Sequence, residues 1–171
     1  MPWQPPPLDV VPAISAAEVR SACDIMLEAA DWLVACGQPL WDREAVAAAN
    51  AVPQPGEGLL FLAHLAGRPV GTYVLLFEDP LYWPDVGTGK SHYVHKLAIR
   101  RSVAGTGVGR GLLTHAIATA RAAGRPFLRL DCAPRPKLCA FYESAGFSYH
   151  SRRDVGSFLV CRYEIVTGAV R

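Results

Sequence analysis

The chain has 171 residues and a formal net charge of only +2 at pH 7, without a long block of lysine or arginine. This balance gives no electrostatic case for nucleic acid or an anionic membrane, so we expect neither as a partner. Apolar residues make up 51% of the sequence. No run reaches the roughly 18 consecutive apolar residues of a membrane span, and one domain of this length can bury a substantial core.

The N-terminal sequence MPWQPPPLDVVP is rich in proline and lacks the basic region and apolar run of a secretory signal. We expect residues 1–12 to form an extended arm and residues 13–171 to form a single domain. The five cysteines are odd in number and widely spaced, unlike a metal or redox pair. They are therefore predicted to be reduced core residues of a cytoplasmic protein.

The first predicted element is a helix over residues 14–36, where apolar side chains recur at spacings of three and four. Ser15 and Glu18 form a capping box at its start, and Gly37 is a stop signal at its end. A second, shorter helix is predicted over residues 42–51, before a run of proline and glycine residues that breaks it.

Two β-like runs follow, at residues 59–65 and 70–77, joined by the sequence AlaGlyArgPro. The length and composition of this connection predict a hairpin of antiparallel strands. Residues 78–90 mix acidic, aromatic, proline and glycine residues, which predicts a long loop, and such loops inside compact domains are often functional. A third strand is predicted over residues 92–99.

The rest of the chain alternates between helices and strands. Apolar periodicity predicts a helix from the glycine-rich segment to Gly124, then a strand at 127–132, a short helix at 137–145 and a last strand at 157–166. A strand–helix–strand unit implies parallel pairing, whereas a hairpin implies antiparallel pairing. The predicted fold class is therefore α/β (α+β), with a mixed central sheet flanked by helices.

The sequence AGTGVG, residues Ala104–Gly109, is the clearest functional signal. Its glycines follow a strand and precede a helix, so backbone N–H groups can approach a phosphate without interference from a Cβ atom. The helix N-terminus adds about half a positive charge. The segment is predicted to bind an anion, and a tight turn without a ligand is the alternative.

Two other nucleotide motifs are excluded by residue identity. A dinucleotide fingerprint GxGxxG starting at Gly105 or Gly107 requires glycine where Arg110 and Leu112 stand. The sequence GTGKS at residues 87–91 resembles the end of a P-loop. However, Pro84 occupies the position of its first glycine, and a strand-like segment follows instead of a helix.

Two longer segments resemble motifs of one enzyme superfamily. The run LAIRRSVAGTGVGRGLL, residues 97–113, resembles motif A of the GNAT acetyltransferases, and residues 132–147, which contain PheTyrGlu and GlyPhe, are similar to motif B. The order of the predicted elements fits that superfamily over nearly the whole chain. The resemblance implies the GNAT acyl-CoA N-acyltransferase fold and direct transfer of an acetyl group from acetyl-CoA to a primary amine of a small molecule or peptide.

The resemblance also implies how acetyl-CoA is held. The cosubstrate would lie in a V-shaped opening between the strand ending at Ile99 and the strand at 127–132, with its pantetheine amides paired to the backbone of Leu97 and Ile99. Ala104 stands where the motif usually has arginine or glutamine, so the diphosphate would rest mainly on backbone N–H groups, with charge from Arg100, Arg101 or Arg110. Arg135 likewise replaces a frequent asparagine of motif B. The implied cofactor-binding residues are Leu97, Ala98, Ile99, Ala104, Gly105, Thr106, Gly107, Val108, Gly109 and Arg110.

Two residues are the catalytic candidates. Tyr142 occupies the motif B position whose hydroxyl, in many family members, protonates the sulfur of the leaving thiolate; a core tyrosine is the alternative. His95 is the candidate base, because some members place an imidazole or a carboxylate two or four residues before the position of Leu97. A half-buried strand histidine without a catalytic task is an equal alternative. Alternation along the strand would place Tyr93, His95, Leu97 and Ile99 on one face.

The acceptor side is less defined by the residues. Trp41, Tyr82, Trp83 and Tyr93 are the candidate substrate-binding residues, with simple packing as the alternative for the tryptophans and Tyr82. The loop acids Glu78, Asp79 and Asp85 are candidates for attracting a cationic amine, although exposed loop acids are usually just solvated. His92 and His95 face opposite ways on a strand, so no metal is predicted.

A second hypothesis is a non-catalytic acyl-CoA-binding module, which the alanine at position 104 makes credible. The sequence identifies neither the acceptor amine nor the acyl chain length, and it is compatible with a monomer or a homodimer.

Overall fold

The structure, a computed structural model, describes residues 7–168, so residues 1–6 of the predicted N-terminal arm lie outside the described part. The described residues form a seven-stranded sheet in the order β1-β2-β3-β4-β5-β7-β6. It contains both parallel and antiparallel pairs, which confirms the predicted mixed sheet flanked by helices. The elements are β1 Asp9–Pro12, α1 Ala16–Ala35, α2 Ala48–Ala51, β2 Gly58–Leu65, β3 Arg68–Leu76, β4 Ser91–Ile99, α3 Val108–Ala122, β5 Phe127–Cys132, α4 Pro136–Ser144, β6 Ser148–Val155 and β7 Phe158–Val166.

The described chain packs into two compact units. The first unit contains residues 7–75 and 96–115, and the second contains residues 76–95 and 116–168. In the two units together, no described helix has the length and apolarity to cross a membrane.

All five cysteines are free thiols. The prediction that they are core residues holds for Cys132 and Cys161 but is wrong for Cys36, which is exposed.

Helix α1 of the first unit has the predicted start and end. The Ser15 side chain accepts a hydrogen bond from the Glu18 amide at 3.2 Å, and the Glu18 carboxylate accepts one from the Ser15 amide at 2.8 Å. This capping box satisfies amides that no helical carbonyl can reach. The buried face of the helix, which packs near β2, consists of Ala22, Ile25, Met26, Ala29 and Ala30.

The second predicted helix is much shorter than expected. Only Ala48–Ala51 is helical, because the backbone of Ala47 is extended (φ −67°, ψ 150°) and separates this helix from the turns at residues 43–46. A strand that the sequence did not predict, β1, pairs antiparallel with β2 from Asp9 to Pro12. It is short and ends in proline, so it carries no usable alternation of apolar residues.

The hairpin between β2 and β3 turns on two residues. Ala66 and Gly67 have φ values of +49° and +76°, the left-handed conformations that a tight two-residue hairpin turn requires. The predicted hairpin is therefore present, with a shorter connection than the four residues expected.

Gly71 in β3 marks a close approach of α3 to the sheet inside the first unit. A Cβ atom at this position would lie 2.8 Å from Cδ1 of Leu112 and 3.4 Å from a methyl group of Val108, both on α3. Contacts of 2.8 Å between carbon atoms do not occur without displacement of one partner. Glycine therefore sets how closely the helix that begins at the glycine loop can pack on the strand.

We expect Gly71→Ala to lower the free energy of unfolding by about 1–3 kcal/mol, the usual cost of overpacking a filled core. Urea unfolding followed by circular dichroism measures this change. Gly87→Ala is the matched control, because a Cβ atom there meets only Lys90 at an ordinary 3.7 Å. Equal midpoints for the two variants would contradict the close approach at Gly71.

The second unit is built on β5. This strand pairs parallel with β4 from Ser91–Phe127 to Val94–Leu130, and antiparallel with β7 along its whole length. β6 pairs antiparallel with β7 at the edge of the sheet, and the sequence analysis did not predict it. Its sequence SYHSRRDV is polar and has no apolar face, so only its partner strand makes it a strand.

Candidate functional site

The glycine loop lies in the first unit, between the end of β4 and the start of α3. Gly105 and Gly107 have φ values of +76° and +91°, conformations that glycine adopts readily and other residues avoid. The side chain and the amide of Thr106 both donate to the carbonyl of Val103, which closes the turn. The loop therefore has a defined shape that depends on glycine at these two positions.

The first backbone amides of α3, directly after the loop, precede the first hydrogen bond within the helix. The first hydrogen bond of α3 runs from the Gly111 amide to the Gly107 carbonyl at 2.9 Å. The amides of Val108 and Gly109 precede it, in the turn where a helix has no carbonyl to accept them. Ala104, Gly105 and Thr106 are exposed, so an anion has access to this end of the helix. The arrangement fits a phosphate group held by backbone donors.

Two of the three arginines expected to assist this loop are engaged elsewhere in the first unit. The Arg100 guanidinium lies 3.3 Å from the Glu28 carboxylate, and the Arg101 guanidinium lies 4.3 Å from the ring centre of Trp32. Arg110 belongs to the first turn of α3 itself. That the loop binds a diphosphate mainly through its backbone stays a prediction.

The end of β4 contains an irregularity. Lys96 has a φ value of +50°, a left-handed conformation inside a strand, and interrupts the regular alternation of side chains there. The shared face expected along this strand therefore holds for Tyr93 and His95, which both contact the loop that precedes β4. Leu97, Ala98 and Ile99 complete the strand in the first unit, with Ala98 buried.

The polar centre of the second unit is formed by His95 and two aspartates. Nε2 of His95 lies 2.8 Å from Oδ2 of Asp79, and Nδ1 of His95 lies 3.9 Å from Oδ1 of Asp131. Asp79 comes from the predicted loop, His95 from β4 and Asp131 from β5. All three side chains are largely buried, with exposures of 18% for His95, 4% for Asp79 and 11% for Asp131.

The Asp79 contact defines the protonation of the imidazole ring. Its Oδ1 accepts a hydrogen bond from the Tyr82 amide at 3.1 Å, and its Oδ2 faces Nε2 of His95. Since an ionised carboxylate only accepts hydrogen bonds, Nε2 of His95 carries the proton and donates it. In the neutral ring, Nδ1 then has a free lone pair and can act as a base.

Asp131 is an unusual aspartate. Its Oδ1 atom is fully buried and has no hydrogen-bond partner among residues 7–168. Burial raises the pKa of the Asp131 carboxyl to about 6, although the neighbouring His95 lowers it. A carboxylate of this kind is ionised at pH 8 and protonated at pH 4, and it remains short of hydrogen bonds when charged.

One ligand atom from each of Asp79, His95 and Asp131 lies within 4.8 Å of the others, so the group also has the composition of a metal site. However, the 2.8 Å contact between Nε2 of His95 and Asp79 is a hydrogen bond, shorter than the spacing of roughly 3.3 Å between two ligands of a tetrahedral zinc ion. The geometry is that of a hydrogen-bonded imidazole–carboxylate cluster, for which we propose the role of a proton relay, and the absence of a metal stays a prediction.

Tyr142 lies on α4 in the same unit. Its side chain is 8% exposed, and its ring contacts Phe141, Phe147 and Tyr163 with centroid distances of 5.1 to 6.3 Å. Burial raises the pKa of the Tyr142 phenol far above its ordinary value, and the nearby Cys132 and Asp131 raise it further. The hydroxyl therefore retains its proton throughout the neutral and mildly alkaline range.

The aromatic candidates differ in their surroundings. The Tyr82 ring is half-buried and lies 5.7 Å from the His95 ring, next to the proton relay. Trp83 is only 2% exposed and packs against the guanidinium of Arg162 and the ring of Tyr93, which favours a packing role for it. Trp41 is half-buried and belongs to the first unit.

The loop acids also have different roles. Asp85 forms a two-pronged ion pair with Arg162 at 2.5 and 2.9 Å, which holds the pKa of Asp85 well below its usual range and anchors the loop. Glu78 accepts a hydrogen bond from the Gly89 amide at 2.7 Å. Of the three acids, only Asp79 contacts His95, and it is buried instead of solvated.

Sequence reasoning missed Asp131. A signal was present, because an aspartate inside the otherwise buried strand FLRLDC is rare unless it is paired or functional. The second missed feature, the hydrogen bond from His95 to Asp79, had no local signal, since the two residues are separated by 16 positions.

Comparison with known proteins identifies the family. The family model described as Acetyltransferase (GNAT) family matches residues 26–147, more than half of the chain. The chain belongs to the GNAT acetyltransferase family. This confirms the resemblance seen in motifs A and B.

Individual relatives agree with this assignment. A curated relative, the uncharacterized N-acetyltransferase YesJ of Bacillus subtilis, is 35% identical over 72 residues, and the match covers 42% of this chain and 40% of that protein. A GNAT-family acetyltransferase from Listeria monocytogenes has a TM-score of 0.75 at 21% identity, covering 93% of this chain and 94% of its own. A GNAT-family acetyltransferase from Elizabethkingia anophelis, solved with acetyl-CoA bound, has a TM-score of 0.68 at 15% identity, covering 93% and 97%. These two structures show that the fold is shared.

Proposed function

We propose that this protein is an acetyl-CoA-dependent N-acetyltransferase that acts on a primary amine of a small molecule or a peptide. The observation that carries the proposal is the hydrogen bond from His95 to Asp79, because in the neutral ring it places the proton on Nε2 and leaves the lone pair of Nδ1 available to an amine proton. A module that only binds acyl-CoA has no need of an oriented base. A cytoplasmic location and a monomeric or homodimeric state remain predictions.

Acetyl-CoA is the proposed cosubstrate because the family transfers acyl groups and a neighbour of the same fold holds it. The amides of Gly107, Val108 and Gly109 would bind the diphosphate, with the dipole of α3 favouring its charge. The backbone of Leu97 and Ile99 would pair with the pantetheine amides, and the backbone of β4 between these residues would also stabilise the carbonyl oxygen as it becomes negative.

Two protons leave the acceptor nitrogen during the proposed reaction, one to His95 and one to Tyr142. His95 takes one proton from the ammonium form of the acceptor, and the neutral nitrogen then attacks the thioester carbonyl. The C–N bond forms, the C–S bond breaks, and Tyr142 donates its proton to the departing sulfur. The nitrogen loses its second proton as the amide forms, and this proton returns the Tyr142 phenolate to its neutral state.

The first test is a thermal shift with acetyl-CoA. We expect acetyl-CoA at 100 times its Kd to stabilise the protein by about 2.7 kcal/mol, and Gly107→Glu to abolish this shift because the new carboxylate repels the diphosphate. Gly156→Glu is the matched control, since Gly156 also has a positive φ and lies in the turn between β6 and β7. An unchanged shift in Gly107→Glu would contradict the binding loop.

The alternative of a non-catalytic acyl-CoA-binding module is favoured by one observation, the loss of the motif A guanidinium at Ala104. A panel of primary amines separates the two functions. Acetyl-CoA-dependent thiol release with any of these amines supports the enzyme, whereas a thermal shift with no transfer to any amine supports the module.

A further inference from the structure

Three of the five cysteines lie together in the second unit. Sγ of Cys132, at the end of β5, is 3.9 Å from Sγ of Cys139 on α4. Cys161 on β7 is directly opposite Cys132 in the antiparallel pair of β5 and β7. Burial and then the neighbouring Cys139 raise the pKa of the Cys161 thiol. The proposed reaction uses none of these three thiols.

The contact between Cys132 and Cys139 is close to the spacing of a disulfide. The sulfur atoms of a disulfide are about 2.05 Å apart, so these two must approach each other by roughly 2 Å. Rotation about the Cα–Cβ bonds moves each sulfur by a distance of this order. Only residues 133–138 separate the two cysteines, so this short connection keeps the end of β5 beside the start of α4.

The two thiols differ in their access to an oxidant. Cys139 is half-buried, whereas Cys132 is buried. Burial raises the pKa of the Cys132 thiol well above its ordinary range, and the nearby Cys139 raises it further. Because the thiolate is the form that attacks a peroxide, Cys139 is the thiol that reacts first. Cys132 is then the adjacent thiol that resolves the product.

We propose that Cys139 and Cys132 are a peroxide-sensitive modification site that closes as a reversible disulfide. The Cys139 thiolate attacks one oxygen of hydrogen peroxide, the O–O bond breaks, and Cys139 becomes a sulfenic acid while the departing hydroxide takes up the thiol proton. The sulfur of Cys132 then attacks the sulfenic sulfur, so that the S–S bond forms and the S–O bond breaks. The second hydroxide leaves with the proton of Cys132. Two thiols are thereby oxidised by two electrons, and the peroxide is reduced to two water molecules.

Peptide mapping tests the site without acetyl-CoA or an amine. Trypsin separates the three cysteines into peptides 130–137, 138–152 and 154–162, since each ends in lysine or arginine and Pro136 protects the bond after Arg135. The reduced protein is treated with excess hydrogen peroxide at about pH 8, near the pKa of about 8.5 of a free thiol. The remaining thiols are then blocked with N-ethylmaleimide in denaturant.

We expect the first two of these peptides to be joined by a disulfide that dithiothreitol cleaves. Three results would overturn the site: no oxidation of Cys139, a sulfinic acid at Cys139 with Cys132 still open to N-ethylmaleimide, or a disulfide from Cys139 to Cys161.

Two variants identify the thiol that reacts first. Cys139→Ser removes it, so the same treatment should leave Cys132 fully accessible to N-ethylmaleimide. Cys36→Ser is the matched control, because Cys36 is exposed and lies in the first unit, and it should form as much disulfide as wild type. Circular dichroism verifies that both variants fold. A disulfide between Cys132 and Cys161 in Cys139→Ser would contradict the role assigned to Cys139.

The disulfide has an expected effect on Tyr142, which rests on the proposed function. Cys139 precedes Tyr142 by about one turn of α4, so drawing Cys139 towards β5 displaces the phenol. Since a misplacement of about 1 Å costs about 10²-fold in rate, oxidation should lower kcat by about 10-fold or more. Dithiothreitol should restore it, and Cys139→Ser should keep its kcat under peroxide.

The outcomes separate this inference from the proposed function. Absence of transfer to any amine by the reduced protein would contradict the enzyme, while the peptide map still decides the disulfide. An active enzyme without the disulfide would contradict the modification site alone. Fully cross-linked protein with an unchanged kcat would contradict the displacement of Tyr142.

Discussion

Tyr142→Phe is expected to lower kcat by about 10²-fold or more, since a positioned general acid contributes about 10²- to 10⁴-fold. The phenol sits among aromatic side chains, and its raised pKa keeps the hydroxyl protonated, and so able to donate, at neutral and mildly alkaline pH. Removal of the hydroxyl leaves the ring packing intact, so the free energy of unfolding and the KM for acetyl-CoA should change little.

Steady-state kinetics with acetyl-CoA and a responsive amine measure this effect. Tyr149→Phe is the matched control, because Tyr149 is 53% exposed and lies on the edge strand β6. A kcat for Tyr142→Phe within twofold of wild type, with intact cosubstrate binding, shows that another group protonates the sulfur. In that case Tyr142 is a core residue.

The second large effect is expected at the proton relay. His95→Ala removes the base and should lower kcat by about 10²- to 10⁴-fold. Asp79→Asn should lower it for a different reason, because an amide NH₂ group placed against Nε2 favours the tautomer with the proton on Nδ1, the atom that must accept one. Both losses should grow with substrates whose ammonium groups are more basic.

Imidazole in the buffer distinguishes a catalytic base from a structural residue. It should restore part of the activity of His95→Ala and none of that of Asp79→Asn, whose own ring still fills the site. His64→Gln, in the first unit, is the control for loss of a histidine. If neither variant loses more than twofold in kcat, the relay has no role in transfer and the acceptor reacts as a free amine.

Much of the fold could be predicted because its signals are local. The capping box at Ser15, the start of α3 after the glycine loop and the boundaries of β5 each depend on neighbouring residues, and the structure has them where expected. The errors have a common cause. β1 and β6 are strands only through the partners they pair with, and α2 begins late because the backbone of Ala47 is extended.

The candidate site likewise contains one part that local sequence predicts and one part that it does not. The glycine loop is contiguous, so its backbone geometry and its expected affinity for an anion follow from the order of glycines between a strand and a helix. Its family resemblance was equally visible in the residues and is confirmed by comparison. The sequence by itself therefore determined the class of protein and the expected cosubstrate loop.

Tertiary structure alone decided the environment of His95. A histidine on a strand is ordinary until the fold brings Asp79 from a loop to one ring nitrogen and Asp131 from a neighbouring strand towards the other. The hydrogen bond to Asp79 selects the tautomer, and burial raises the pKa of Asp131 to about 6, while no donor among residues 7–168 reaches its Oδ1 atom. These properties arise from distances between residues far apart in sequence, and no local pattern encodes them.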